Sequence, residues 1–86
     1  MKNRRTAEFK KRFNKLPHNI QKQAKEAYRL FKENPGYPGL HFKRLETKEP
    51  FWSVRIGAHY RAVGLRDGDT IYWDFIGTHE EFNNLF

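Results

Sequence analysis

Cysteine is absent from this sequence, and the chain of 86 residues has only one methionine, four prolines and six glycines. Without cysteine, a disulfide scaffold and a thiolate metal site are excluded. No apolar run approaches the ~18 residues that a membrane-spanning helix needs. The basic N-terminal segment also lacks the apolar stretch of a secretion signal. We therefore expect a cytoplasmic protein with no membrane partner.

Aromatic residues make up 16% of the chain and argue against disorder, even though charged residues reach 31%. The length suits one domain, which we expect to span residues 1–86. The net charge of +7 is unevenly spread, because residues 1–33 carry 11 basic and 3 acidic side chains whereas residues 66–86 carry 1 and 5. This excess favours a polyanionic partner, most commonly nucleic acid. Each lysine taken singly is better explained as a solubilising surface charge.

Two amphipathic helices are predicted over about residues 6–33, because apolar residues recur at helical spacing along one face of each. Thr6 is a suitable N-cap for the first helix. Pro17 separates the two, since proline is tolerated only in the first turn of a helix. The segment Asn34-Pro35-Gly36 ends the second helix. The short link predicts a helical hairpin.

Strand patterns follow over about residues 40–77, and residues 78–86 are predicted to form a short helical tail. The strand candidates, which alternate or are rich in β-branched and aromatic residues, are the segments 40–45, 51–56, 60–65 and 71–76. Residues 1–5 form either an edge strand or a loose end. The predicted fold class is α+β, with the N-terminal helical hairpin packed on one face of a small antiparallel β-sheet.

The predicted hairpin turns decide which side chains share a face of this sheet. Asp67-Gly68 is the strongest hairpin signal in the chain. A two-residue loop at these positions pairs Arg61 with Asp74. It also places three apolar side chains on the helix-facing side, namely Ile71, Trp73 and Phe75.

Two turns compete for the preceding hairpin. A type II′ turn on Gly57-Ala58 suits the glycine but mixes charged and apolar side chains on one face. A three-residue loop over 57–59 keeps the faces consistent and pairs Arg55 with Arg61, so we favour it. The predicted row Arg55–Arg61–Asp74 either binds a phosphate through bidentate guanidinium contacts or is a surface salt bridge worth at most about 1 kcal/mol. The residues alone favour neither.

His79 is the strongest candidate for acid–base chemistry, because it follows directly after the last predicted strand. His18, His41 and His59 have weaker cases, at a helix start, in a strand and at a hairpin tip. No histidine pair or recurring carboxylate cluster stands at metal-ligand spacing. We therefore expect no metal and no cofactor, and any catalysis is expected to be acid–base or electrostatic chemistry on a phosphodiester.

Four segments of the chain together resemble the RelE/ParE superfamily of type II toxins. They are Phe51-Trp52-Ser53-Val54-Arg55-Ile56, His59-Tyr60-Arg61-Ala62-Val63, Asp67-Gly68-Asp69 and Ile76-Gly77-Thr78-His79. The resemblance implies a helical hairpin on an antiparallel sheet. Many members are ribosome-dependent mRNA endonucleases that a cognate antitoxin silences, whereas ParE-type members inhibit DNA gyrase and cleave no RNA.

The resemblance also implies roles for individual residues. Arg61 matches the strand arginine that contacts the scissile phosphate, and His79 matches a position from which the leaving 5′-oxygen is protonated. Phe82 stands near a tyrosine of many relatives and offers no hydroxyl. The expected substrate-binding residues are Arg55, Lys43 and Arg44, and the expected supporting residues are Asp74 and Phe82.

Three functions follow from these observations. The leading one is a metal-independent toxin that cleaves mRNA in the ribosomal A site, with the ribosome, its rRNA and a cognate antitoxin as partners. The second is a non-enzymatic inhibitor of DNA gyrase. The third is a protein that binds nucleic acid with little or no cleavage, either a catalytically weak relative or a plain RNA- or DNA-binding module. The plain module explains the net charge of +7 but not the arginine row.

Overall fold

The computed structural model describes residues 1–86, and their strands form one mixed, five-stranded sheet in the order β1-β5-β4-β3-β2. The elements are β1 (Lys2–Arg5), α1 (Ala7–Asn14), α2 (His18–Glu33), a 3-10 turn (Pro38–Leu40), β2 (Lys43–Arg44), β3 (Phe51–Ile56), β4 (Tyr60–Asp67), β5 (Thr70–Thr78) and α3 (His79–Leu85). The predicted α+β class and helical hairpin are confirmed. None of the three helices combines the length and apolarity that a membrane crossing requires.

Two details of the predicted sheet are wrong. The N-terminal segment is an edge strand, as one of the two alternatives held, but β1 pairs with β5 in parallel, so the sheet is not purely antiparallel. The predicted strand over 40–45 shortens to the two residues of β2. The chain enters it from the 3-10 turn through His41, whose left-handed backbone interrupts an extended conformation.

Local hydrogen bonds hold the helical hairpin together. The hydroxyl oxygen of Thr6 accepts a hydrogen bond from the Phe9 amide at 3.2 Å, which confirms the predicted N-cap of α1. At the other end of α1, the side-chain amide of Gln21 donates to the carbonyl oxygens of Phe13 at 3.2 Å and Leu16 at 3.1 Å. Since terminal helical carbonyls lack partners within their own helix, Gln21 ties α1 to α2.

The main core lies between the helices and one face of the sheet. Its fully or nearly buried members are Ala24, Phe31, Leu40, Val54, Ile56, Ala62, Ile71, Trp73 and Ile76. Phe31 makes edge-to-face contacts with Trp73 and with Phe42, at centroid distances of 5.4 and 4.8 Å. The indole nitrogen of Trp73 donates to the Asn3 side chain at 3.0 Å, which connects β1 to this core.

The β3–β4 hairpin has the predicted register. Arg55 pairs with Arg61 across the three-residue loop. The β4–β5 hairpin differs from the prediction, because its turn residues are Gly68 and Asp69, and Asp67 pairs with Thr70. Gly68 occupies the first turn position with a φ of 60°, a conformation that glycine adopts without steric cost.

A β-bulge shifts the β4–β5 register again, between Val63 and Gly64 of β4. Gly64 pairs with Trp73 whereas Val63 pairs with Phe75, so Asp74 is the extra residue on β5. The predicted pairing of Arg61 with Asp74 is therefore wrong, and Gly77 lies opposite Arg61 instead. Because an extra residue inverts the alternation beyond it, Ile76 joins the main core. Phe75, predicted on that side, lies on the opposite face.

Close packing beside the bulge predicts that Gly64→Ala destabilises the fold. An added Cβ at Gly64 would lie 2.8 Å from the Cγ1 of Ile71 and 3.0 Å from both Cε3 of Trp73 and the carbonyl oxygen of Tyr72. We expect a loss of roughly 1–3 kcal/mol in the free energy of unfolding, measured by urea titration. Gly39→Ala is the control, since nothing lies within 4 Å of its added Cβ. Equal losses in both variants would contradict this account.

Candidate functional site

Two arginines stand side by side on the sheet face opposite the helices. Arg55 on β3 pairs with Arg61 on β4, and Gly77 on β5 continues the row. Directly opposed like charges destabilise a sheet. The structure places no carboxylate in this row, so two guanidinium groups remain available to an anion.

Arg61 contacts His79 directly. Its Nε donates a hydrogen bond to the Nδ1 of His79 at 3.2 Å. Because Nδ1 accepts this bond, the ring proton of the neutral imidazole belongs on Nε2 by assignment from the hydrogen-bond pattern. The sequence predicts that the histidine after the last strand lies within reach of the arginine row, and His79 contacts Arg61 of that row.

A capped helix start fixes the position of His79. The hydroxyl oxygen of Thr78 accepts from the Glu81 amide at 3.1 Å, while the Glu81 carboxylate accepts from the Thr78 amide at 2.9 Å. The His79 amide donates to the carbonyl oxygen of His59 at 2.7 Å. Since α3 begins where β5 ends, these bonds hold the imidazole beside β4.

Phe82 supports both members of the pair. The Cζ atom of Arg61 lies 5.2 Å from the Phe82 ring centroid, in cation–π geometry. The His79 ring stacks on the same phenyl ring, with centroids 6.0 Å apart and planes inclined by 22°. Phe82 therefore contacts both Arg61 and His79 through its ring face, and neither contact involves a hydroxyl.

Part of the hydrogen-bonding capacity of both arginines is unused. The Nη1 atom of Arg61 is buried and has no partner. A buried donor without a partner costs stability and calls for a reason. Arg55 is exposed and donates only its Nε, to the Gly57 carbonyl oxygen at 2.9 Å. The free guanidinium nitrogens of the exposed Arg55 match the oxygen acceptors of a phosphate.

These groups border a shallow depression of about 220 Å³, lined by His41, Arg55, Ala58, His59, Tyr60, Arg61 and His79. The sequence makes only weak cases for His41 and His59, which it predicts in a strand and at a hairpin tip. A larger and mostly apolar groove of about 300 Å³ lies between the helices and the sheet, and it contains no residue of this depression. We assign the site to the smaller depression because cationic and imidazole groups converge there.

The other predicted site residues lie apart from this depression. Lys43 pairs with Ser53 and therefore shares the sheet face of Arg55, one pair further along. Arg44 pairs with Trp52, whose ring packs towards the main core, and its Nη1 donates to the Leu45 carbonyl oxygen at 3.2 Å. No group of three or more His, Asp or Glu side chains is arranged to hold a metal ion.

Asp74 sits in the bulge, away from Arg61. Its Oδ1 atom is buried without a hydrogen-bond partner. Burial raises the pKa of the Asp74 carboxyl above its ordinary value of 3.8, and its backbone hydrogen bond and the charge of Arg12 oppose that shift. Asp74 thus neighbours α1 and does not neutralise the arginine row.

Comparison with known proteins gives one family and several shared folds. The family model of the ParE-like toxin domain matches residues 18–84. A chain of the RelB–RelE antitoxin–toxin complex from Methanococcus jannaschii has a TM-score of 0.77 at 19% identity, covering 96% of this chain and 98% of that chain. No curated protein sequence matches closely enough to count as a relative.

Two further solved structures share the fold at low identity. The YoeB/ParE toxin from Agrobacterium tumefaciens has a TM-score of 0.70 at 19% identity, covering 92% of this chain and 99% of that chain. A copper-bound mutant toxin from Helicobacter pylori has a TM-score of 0.66 at 24% identity, covering 100% and 99%. The likeness extends over whole chains and confirms the α+β architecture.

The buried carboxylate predicts a pH-dependent effect of Asp74→Asn. Because its pKa is raised on folding, the folded protein binds the Asp74 proton more tightly, and stability falls as pH rises from about 3.8 through the raised value. We expect Asp74→Asn to resist urea better than the wild type at pH 7. This advantage should vanish below about pH 3, where both states are protonated.

Urea titrations of both proteins at the two pH values measure this difference. The exposed residue Asp67, at the end of β4, supplies the control, since Asp67→Asn should match the wild type throughout. An advantage of Asp74→Asn that is equal at both pH values would show that the buried charge is not its cause.

Proposed function

The chain belongs to the ParE-like toxin domain family of the RelE/ParE superfamily, and from this premise we propose that it is an mRNA endoribonuclease acting in the ribosomal A site. The observation that carries this proposal is the hydrogen bond between Arg61 Nε and His79 Nδ1, beside the second arginine, Arg55. This arrangement joins an anion site to an acid–base group. The ribosome and its mRNA are the proposed partners, which places the activity in the cytoplasm.

The proposed reaction is an internal transfer at phosphorus. The ribose 2′-hydroxyl gives up its proton to a base or to solvent, and its oxygen forms a bond to the adjacent phosphorus while the bond from phosphorus to the 5′-oxygen breaks. Arg61 and Arg55 stabilise the charge that develops on the phosphoryl oxygens. His79 gives a proton to the departing 5′-oxygen, so the products carry a 2′,3′-cyclic phosphate and a 5′-hydroxyl. The step needs no oxidant, reductant or co-reactant.

The contact between Arg61 and His79 links substrate binding to protonation. A protonated His79 carries hydrogen on Nδ1, which cannot accept from the Nε of Arg61. When a phosphate takes the Arg61 guanidinium, the Nδ1 of His79 is released from this hydrogen bond and can carry a proton.

A cognate antitoxin is the proposed regulatory partner. One structure that shares this fold is an antitoxin–toxin complex. The net charge of +7 suits a partner segment that carries excess carboxylates, because complementary charge speeds encounter and disfavours wrong partners.

Inhibition of DNA gyrase is the second candidate function, and the ParE-like description of the matched family favours it. Gyrase inhibition requires no proton transfer, so the Arg61–His79 pair would have no chemical task. Growth arrest that survives His79→Ala, together with intact mRNA, would therefore favour this alternative, and a supercoiling assay would follow.

RNA-end mapping on ribosomes stalled with a defined mRNA tests the leading proposal. The wild type should produce new ends at the A-site codon. We expect His79→Ala and Arg61→Lys each to lower the cleavage rate by about 100-fold, since proton transfer and bidentate contact to the charged transition state are lost. Naked RNA, tested in parallel, reports whether the ribosome is required.

The chain offers a matched control for each variant. Arg66 lies on the same strand as Arg61 and also covers an aromatic ring, with its Cζ 4.8 Å from the Trp52 centroid, so Arg66→Lys should retain activity. His18→Ala, at the start of α2, should do likewise. Intact mRNA with wild-type protein that still arrests growth would refute the ribonuclease proposal.

Ring contact at Phe82 predicts a graded effect of substitution. Phe82→Tyr retains the ring face beneath Arg61 and His79, so it should cleave at close to the wild-type rate. Phe82→Leu removes the cation–π contact and should lower single-turnover cleavage by about tenfold. A thermal melt of each variant controls for folding, and equal rates in folded Leu and Tyr variants would contradict a positioning role.

A further inference from the structure

Resting on the proposed function, we propose that His41 is the general base of this site and removes the proton from the attacking ribose 2′-hydroxyl. The exposed His41 lines the same depression as Arg55, Arg61 and His79. His41 is thus one of three imidazoles at this depression, together with His59 and the His79 ring that is bonded to Arg61.

Strand order places His41 and His79 on opposite flanks of the arginine row. His79 follows β5, Arg61 lies on β4, Arg55 lies on β3, and His41 precedes β2 by two residues. A phosphate bound by the two guanidinium groups therefore has one imidazole on each side. In-line displacement requires this separation, because the attacking and leaving oxygens occupy opposite sides of the phosphorus.

The backbone of His41 fixes where this residue stands. His41 has φ 48° and ψ 46° and caps the 3-10 turn, because its amide donates to the Pro38 carbonyl oxygen at 3.2 Å. It is the only residue other than glycine with a positive φ, a conformation that glycine and asparagine adopt more readily. The cap thus holds His41 at the start of the segment that leads into β2.

The chemistry of the site also needs a second imidazole. Cleavage moves two protons, one from the 2′-hydroxyl to a base and one from an acid to the 5′-oxygen. His79 cannot accept a proton at Nδ1 while Arg61 donates there. His41 has both ring nitrogens free, so its neutral form can take the 2′-hydroxyl proton as the bond from oxygen to phosphorus forms. Solvent then removes that proton and returns one to His79.

Several charged or titratable groups face His41 from the neighbouring elements. Arg55 and Arg61 line the depression from β3 and β4, and Lys43 stands on the adjacent strand. His59 lines it from the turn between β3 and β4, and His79 from α3. His59 lies at the end of the arginine row, not on its flank, and its carbonyl oxygen already anchors the His79 amide. His41 is therefore the better placed base.

A pH–rate profile of A-site cleavage tests the assignment. The rate should rise with pH because the base must be neutral, and it should fall at higher pH because the acid must be protonated. The wild type should therefore have a bell-shaped pH–rate profile. His41→Asn, which tolerates the left-handed backbone, should lose the rising limb and about 100-fold in rate at neutral pH. His59→Asn should keep the rising limb, and His18→Asn should match the wild type.

His41→Gly provides a second and independent readout. Glycine relieves the backbone strain, so the variant should fold, which a thermal melt checks. Added imidazole should raise its cleavage rate and restore the rising limb, whereas a folded variant that imidazole does not rescue would count against the proposal.

The outcomes separate this inference from the proposed function. Suppose that the wild type cleaves RNA and His79→Ala does not, while His41→Asn cleaves at a rate within about twofold of the wild type and keeps both limbs of the pH–rate profile. His41 is then not the base, and the proposed ribonuclease function still holds. If the wild type cleaves no RNA, both proposals fail together.

Discussion

One extra residue in β5 determines how the two faces of this sheet are used. The bulge at Asp74 inverts side-chain alternation, so that Ile76 enters the core beneath the helices while Phe75 lies on the other face. There Phe75 packs against Phe86 at a centroid distance of 5.5 Å, and Phe86 also contacts Phe51 at 5.4 Å. Both faces of β5 therefore hold packed aromatic or aliphatic side chains, and α3 has a surface on which to rest beside the arginines.

The site built on this frame is not arranged for maximal stability. Two arginines are neighbours, one guanidinium nitrogen of Arg61 is buried without a partner, and His41 keeps a left-handed backbone. Each feature costs free energy, and all three border or adjoin the same depression. Clustering of such costs is expected where binding of a substrate supplies the missing partners.

Shared architecture alone does not decide what this toxin acts on. Chains at 19–24% identity have the same fold over nearly their whole length, but a fold accommodates different activities. Particular groups therefore support the proposed RNA cleavage, chiefly the hydrogen bond between Arg61 and His79 and the Phe82 ring that contacts both. The ring face of Phe82 contacts both of these side chains.

Local patterns in the sequence determined the helical hairpin, its Thr6 cap, the pairing of Arg55 with Arg61 and the choice of His79, because capping, periodicity and turn length act over a few residues. Only the tertiary structure decided the bulge, the parallel pairing of β1, the separation of Asp74 from Arg61 and the approach of His41 to the site. These depend on contacts between segments far apart in the chain. A single extra residue in a strand moves every later side chain of that strand to the opposite face of the sheet. The alternation pattern of one strand does not show where such a bulge occurs against the neighbouring strand.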